Sequence, residues 1–139
     1  MTRREARELS MQVLFEMHIK EEYDINILNY HLNDKDVDEL QKDYIINIIK
    51  TTIDNMVEIN NYIEKYAIGW TLNRIANVDL VILQLTIAEI LYNDDIPYNV
   101  SINEAIELAK KFSGKDSYSF INGILGKFII EENIKEDVQ

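Results

Sequence analysis

The stretch Asp95–Leu125, DIPYNVSINEAIELAKKFSGKDSYSFINGIL, decides the fold, because it holds the chain's single proline and its plainest helix start and stop. Pro97 cannot sit inside a helix and biases Ile96 away from helical dihedrals, so a preceding helix must end near Asn93 or Asp94. Ser101-Ile102-Asn103-Glu104 then fits a capping box, in which serine and glutamate satisfy each other's backbone N–H groups. This predicts a helix from Ile102 to about Ser113. Ile102, Ala105, Ile106, Ala109 and Phe112 form its core stripe, and Glu104, Glu107, Lys110 and Lys111 lie opposite. Gly114 is predicted to end it by taking a positive φ. A second helix follows, capped by Asp116 or Ser117, with Ile121, Ile124, Leu125 and Phe128 inward. The helical period sets Phe120 apart, beside Asp116, Gly123 and Lys127. A phenylalanine there either stacks on a base, anchors a partner chain, or tucks under a neighbouring helix.

Working back from this block, Ala76 to Tyr92 is apolar almost all round, which places it at the centre of a bundle. Asp79 and Thr86 interrupt it on one face. Asp79 reads either as a first-turn acid favoured by the helix dipole or as a contact on an exposed helix end. Ala67 to Asn73 reads as a connector between two halves, with Trp70 plugged between them. Upstream, an apolar period runs through Leu40, Tyr44, Ile45, Ile48, Ile49, Ile53, Met56, Val57 and Ile63 after a cap in Asp36–Glu39. As one rod the stretch to Tyr66 exceeds about 40 Å at ~1.5 Å per residue, so a bend is predicted near Asp54-Asn55. A short helix over Ile25 to Leu32 follows an Asp24 cap. Beyond Glu131 the charged tail is predicted to fray.

The first helix is predicted from about Arg3 to Ile19, with Ala6, Leu9, Val13 and Met17 inward. Arg4, Arg7, Met11, Phe15 and His18 form a second line, with Arg3 close by. Guanidinium groups pair with phosphates or lie flat on bases, so this line reads as an RNA edge. It reads equally as a solvated basic turn followed by packed side chains. Arginines in a first turn oppose the macrodipole, a tolerated conflict that favours function.

Composition limits what this helical chain does. A length of 139 residues suggests one compact domain, and the lack of cysteine removes disulfides and thiolate metal sites and fits a cytoplasmic address. No apolar run is long enough for a membrane span, and the charged N-terminus is unlike a signal peptide. A net charge of −11 argues against indiscriminate nucleic-acid binding. Yet Arg3, Arg4 and Arg7 cluster at one end and Lys110, Lys111 and Lys115 at another, so six of the 14 basic residues form two local patches. Phe112-Ser113-Gly114-Lys115 lacks the glycine, serine and preceding strand of a phosphate loop. His18 and His31 have no carboxylate at metal-ligand spacing, and no nucleophile elbow or dinucleotide fingerprint is present. No enzyme, cofactor or metal is expected.

The sequence resembles the NusB family of bacterial transcription antitermination factors. The resemblance is carried by Arg3-Arg4-x-Ala6-Arg7 with Gln12 and Leu14-Phe15, by Arg74-Ile75 with Asp79 and Ile82-Leu83, and by Ile96-Pro97, Val100, Ile102–Ala105, Leu108–Lys110 and Phe120–Gly123 with Leu125. It covers about Thr2 to Phe128. It implies an all-α protein of two small helical bundles and about seven helices, with halves near 1–66 and 74–133. It further implies binding to the boxA element of nascent ribosomal RNA, jointly with the small-subunit ribosomal protein NusE, within the transcription elongation complex. Arg3, Arg4, Arg7, Gln12 and Phe120 then map onto RNA binding, and Asp79 and Asp116 onto contacts with partner or RNA. Glu5 between the arginines and the strong net acidity depart from more basic members, and an acidic surface suits a basic ribosomal protein. Two alternatives remain: a module associated with ribosomal RNA methylation, and a structural helical dimer that touches no RNA. A homodimer is compatible with all three.

Overall fold

The computed structural model describes residues 1–34 and 36–134, and the described residues are helical with no strand. Seven α-helices run in order: α1 (Arg3–Lys20), α2 (Ile25–Asp34), α3 (Glu39–Asp54), α4 (Met56–Tyr66), α5 (Asn77–Tyr92), α6 (Tyr98–Phe112) and α7 (Lys115–Glu131). A single 3₁₀ turn, Leu72–Arg74, precedes α5. The all-α architecture of about seven helices is the one the sequence predicts.

Helix α5 is the axis. Leu80 to Ile90 is buried without interruption, and α1, α3, α4, α6 and α7 all pack on it. A helix with no polar face has nowhere to lie except inside a ring of partners. The core runs continuously from Ala6, Leu9, Val13 and Met17 through Ile45, Ile49, Ile59 and Ile63 to Ile121, Leu125 and Phe128. Full burial of each such side chain contributes roughly 1.5–3 kcal/mol before the cost of ordering the chain.

Local signals explain most helix ends. Thr2 and Glu5 form a complete capping box at the start of α1, a pair the sequence reading overlooked. Asp38 caps α3 by accepting from the Gln41 N–H, and Asp24 accepts from the Asn26 N–H before α2. The long apolar period breaks at Asn55, as its length requires. Val57, just past that break, is exposed instead of joining the core stripe. Leu40, in the first turn of α3, is exposed as well.

Three expectations for the C-terminal block need correction. Helix α6 begins at Tyr98 with Pro97 as its N-cap, so Ser101 stands inside it and caps nothing. A proline at a helix entry already has the right φ and lacks only an N–H that would be orphaned there. Ser101 and Glu104 are instead taken by side chains of other helices. Gly114 has φ −165° and ψ −178°, so it is an extended N-cap of α7, and no glycine-specific geometry ends α6. Neither Asp116 nor Ser117 caps α7, which begins at Lys115. The tail also holds longer than expected, since Glu132 accepts from Lys65 and Tyr66 and Ile134 packs on the core. Residues 135–139 lie outside the described residues.

Candidate nucleic-acid interface

The capped start of α1 presents Arg3, Arg4 and Arg7 over two turns, and the three side chains meet different fates. Arg4 is exposed, with 60% of its side-chain surface accessible. Its Nε and Nη2 donate to the two carboxylate oxygens of Glu104 on α6, at 3.1 and 2.8 Å. This is a bidentate fork. The hydrogen bond from Arg4, followed by its charge, holds the Glu104 carboxyl below the usual glutamate range against the opposing effect of burial.

Arg7 departs from the reading as an outward RNA ligand. Only 11% of its side chain is accessible, because it turns inward to Glu89 at 3.0 Å and approaches Glu104 at 3.9 Å. Glu89 is buried in α5. Its carboxylate accepts from Arg7, from the Tyr44 hydroxyl of α3 and from the Ser101 hydroxyl of α6. One carboxylate thus joins four helices. A buried anion is tolerable when its lone pairs are filled and a cation faces it, and both conditions are met. Burial, then the Glu89 charge, pushes the Tyr44 hydroxyl well above the ordinary tyrosine range, so it stays a donor.

Arg3 lies between these extremes. Its Nε donates to Gln41 Oε1 at 2.8 Å, and its guanidinium sits 4.1 Å from the centroid of the Tyr44 ring. The Arg7 guanidinium approaches the same ring at 5.5 Å. Between α1 and α6 a groove of about 400 Å³ is lined by Arg4, Arg7, Glu8, Glu104, Lys110 and Lys111. Lys111 of α6 reaches back to Glu8 of α1. Each helix therefore supplies a cation to the other helix's carboxylate. Gln12, exposed one turn further along α1, shares a shallow cavity with Glu8 and Lys111, so it continues this edge.

The other predicted residues gather elsewhere. Asp79, Asp116 and Phe120 line one cavity of about 370 Å³, together with Trp70, Arg74 and Ser117. Asp79 is buried and accepts from the Ser113 hydroxyl at 2.7 Å, which ties α5 to the end of α6. Asp116 is exposed in the first turn of α7. Phe120 is half-buried, with its ring centroid 5.7 Å from that of Trp70 and the planes at 66°. Trp70 is not the plug its position suggests: 47% of it is exposed. Gly69, at φ +85°, turns the connector, and the Trp70 N–H donates to the Ala67 carbonyl at 2.9 Å. That geometry carries the indole outward. A positive φ of this kind is what favours glycine there.

Met11 is buried and Phe15 packs against the core, so this part of the second line on α1 is packing. His18 meets Asn77 at 3.0 Å, and His31 meets Glu16 at 3.0 Å. The sequence reading missed Glu89 and gave Glu104, Tyr44 and Trp70 other roles, as a capping acid, a core residue and a plug. A signal existed for Glu89: an acid in a helix with no polar face requires a cation from another element, and Arg7 was the nearest candidate class.

Comparison with known proteins bears on this arrangement. The family model described as "NusB family" matches residues 4–129. The Transcription antitermination protein NusB of Alkaliphilus oremlandii is 50% identical over 134 residues, covering 96% of this chain and 97% of that protein. A T. maritima NusB structure superposes with a TM-score of 0.88 at 33% identity, covering 94% of this chain and 92% of the other. A chain from a structure of antitermination factors NusB and NusE in complex with dsRNA matches with a TM-score of 0.84, covering 94% and 99% of the two chains. At 21% identity that last likeness is one of fold. With the match spanning nearly every helix and both groups of candidate residues, the chain belongs to the NusB family.

Proposed function

We propose that this chain is a non-catalytic transcription antitermination factor that binds boxA RNA of nascent ribosomal RNA transcripts together with the ribosomal protein NusE, as part of the transcription elongation complex in the cytoplasm. The observation that carries the reading is the near full-length likeness to a protein named as an antitermination factor. The solved assembly of NusB, NusE and dsRNA, a fold relative, supports both kinds of partner.

The geometry supports a division of labour along α1. Arg4 and Arg3 are the arginines placed to meet phosphates or bases, with Gln12 beyond them, whereas Arg7 fixes the helix that carries them. Binding to RNA requires Arg4 to exchange the Glu104 carboxylate for a phosphate, one anion for another in the same fork. The net charge of −11 favours a cationic protein partner, which supplies the positive charge this chain lacks for RNA. On the opposite group, Phe120 serves the RNA and the exposed Asp116 faces partner or base amino groups, while the buried Asp79, read from sequence as a contact, holds Ser113 behind them. Among the described residues no helix is long and apolar enough to cross a membrane.

The test is a titration of labelled boxA RNA against the chain with and without NusE. Replacing Arg3 and Arg4 together by glutamine should weaken binding by the pair and flatten its salt dependence, since each lost phosphate contact on a single strand reduces the steepness of log K against log salt by roughly 0.7. Unchanged affinity and slope would reject the assigned edge.

A further inference from the structure

The groove between α1 and α6 sets four cations, Arg4, Arg7, Lys110 and Lys111, among three carboxylates, Glu8, Glu104 and Glu107. With Arg7 also held by Glu89 from beneath, the charges of this edge cancel. A surface shaped only to attract phosphates has no use for so many anions, because each repels RNA and occupies a cation that would bind it. Nor is helix spacing the reason for all of them. Arg4–Glu104 and Lys111–Glu8 each bridge the two helices, and only Lys110–Glu107 lies within one.

Resting on the RNA-binding reading above, we propose that Glu104 is an autoinhibitory residue, whose carboxylate competes with RNA phosphate for Arg4 and lowers the affinity of the edge for any RNA that uses it. The fork from Arg4 Nε and Nη2 to both carboxylate oxygens is the same two-point grip that a guanidinium gives to two phosphate oxygens. Arg4 is largely exposed while only 14% of the Glu104 side chain is accessible, so an incoming anion reaches the guanidinium without first crossing the carboxylate. Behind Glu104 stands a second cation, Arg7 Nη1 at 3.9 Å. Release of Arg4 therefore does not strand the carboxylate without a counter-charge. The opposite role, in which Glu104 serves RNA by holding Arg4 in place, predicts the opposite sign. Removing a competitor tightens binding, and removing a support weakens it.

The test follows the anisotropy of a labelled boxA RNA oligonucleotide titrated with the complete chain and NusE at one low salt concentration. Glu104→Gln, which keeps the size and one acceptor but no charge, should tighten binding on the order of fivefold, the upper range of what an exposed ion pair holds back. Glu64→Gln removes one negative charge from an exposed position of α4, outside the groove. It should bind within about twofold of the parent and so reports net charge alone. In an Arg4→Gln background, Glu104→Gln should change affinity by less than about twofold, because the cation it competes for is gone. Thermal melts confirm that the variants fold. A Glu104→Gln chain that binds RNA as the parent does, or more weakly, overturns the autoinhibitory role and leaves the RNA-binding reading intact. Tightening that Glu64→Gln reproduces, or that persists undiminished in the Arg4→Gln background, overturns it as well, since either result assigns the effect to charge at large. If neither the parent nor any variant binds the RNA, both readings fall together.

Discussion

The arginine edge and the corner where Trp70 meets Phe120 sit on one small helical body and are built on opposite terms. At the edge three cations are already answered by carboxylates, Arg4 by Glu104, Arg7 by Glu89 and Lys111 by Glu8, while Arg3 rests on Gln41 and the Tyr44 ring. At the corner, aromatic rings, two carboxylates and one arginine stand around an open space, and Asp79 is held by a neutral hydroxyl. The edge is therefore pre-oriented by its own anions and must release them to bind. The corner needs no such exchange. Affinity drawn from the edge should fall with salt, because it is ionic, while selectivity drawn from the corner should persist.

The edge itself divides into a buried half and an exposed half, and the sharpest way to break it is to remove the buried cation. Arg7→Met strands the Glu89 carboxylate among Tyr44 and Ser101 without a counter-charge. Breaking a buried pair from one side costs about 3–5 kcal/mol, a large fraction of the roughly 5–15 kcal/mol that holds a typical domain together. Urea denaturation should register this as a lower midpoint at an unchanged slope. Adding Glu89→Gln should recover part of the loss, because it removes the stranded charge: the amide oxygen keeps an acceptor for one of the two hydroxyls, and the amide N–H donates to the other hydroxyl oxygen. Equal stability of Arg7→Met and the parent would mean that the buried pair contributes nothing.

Arg4→Gln asks the complementary question and should have a smaller effect. Its guanidinium is exposed, and surface ion pairs contribute little stability, so the urea midpoint at pH 7 should fall far less than that of Arg7→Met. RNA binding with NusE should weaken roughly tenfold at low salt, with the salt slope reduced by about one. If Arg4→Gln unfolds the protein and Arg7→Met does not, the assignment of inner and outer roles is reversed.

Much of the scaffold was legible because it rests on local chemistry. The aspartates before α2 and α3, the break at Asn55 and the all-apolar α5 each declare themselves through a cap, a length limit or a missing polar face. The site was less legible because its residues are committed to partners far away in sequence. Ser101 and Glu104 satisfy the local pattern of a capping box, yet Glu89 and Arg4 hold them in the fold, and Pro97 starts the helix on its own. Arg7 and Arg4 share a helix and a motif, and no periodicity says that a glutamate 82 residues away draws one of them inside. Trp70 misled for a related reason. A lone tryptophan between two halves suggests burial, and only the direction imposed by Gly69 turns it outward.

The finest distinction between the two halves of the edge is in their response to acid. Arg4 stays charged at all accessible pH, so protonation of Glu104 is what dissolves the fork. The hydrogen bond from Arg4 places the folded-state pKa of Glu104 below its ordinary value of 4.5. A carboxyl depressed on folding stabilises the fold fully above that value. The contribution is lost as pH falls from 4.5 through the lower folded value, because protons then bind the unfolded chain more readily. Glu104→Gln should therefore match the parent's decline in stability least well between pH 5 and the acid limit, where its own curve is flatter. Near pH 7 the same variant releases Arg4 from its carboxylate, and RNA then meets a guanidinium with no resident anion to displace. A curve for Glu104→Gln parallel to that of the parent throughout the acid range would place the Arg4 fork among surface pairs that form without stabilising.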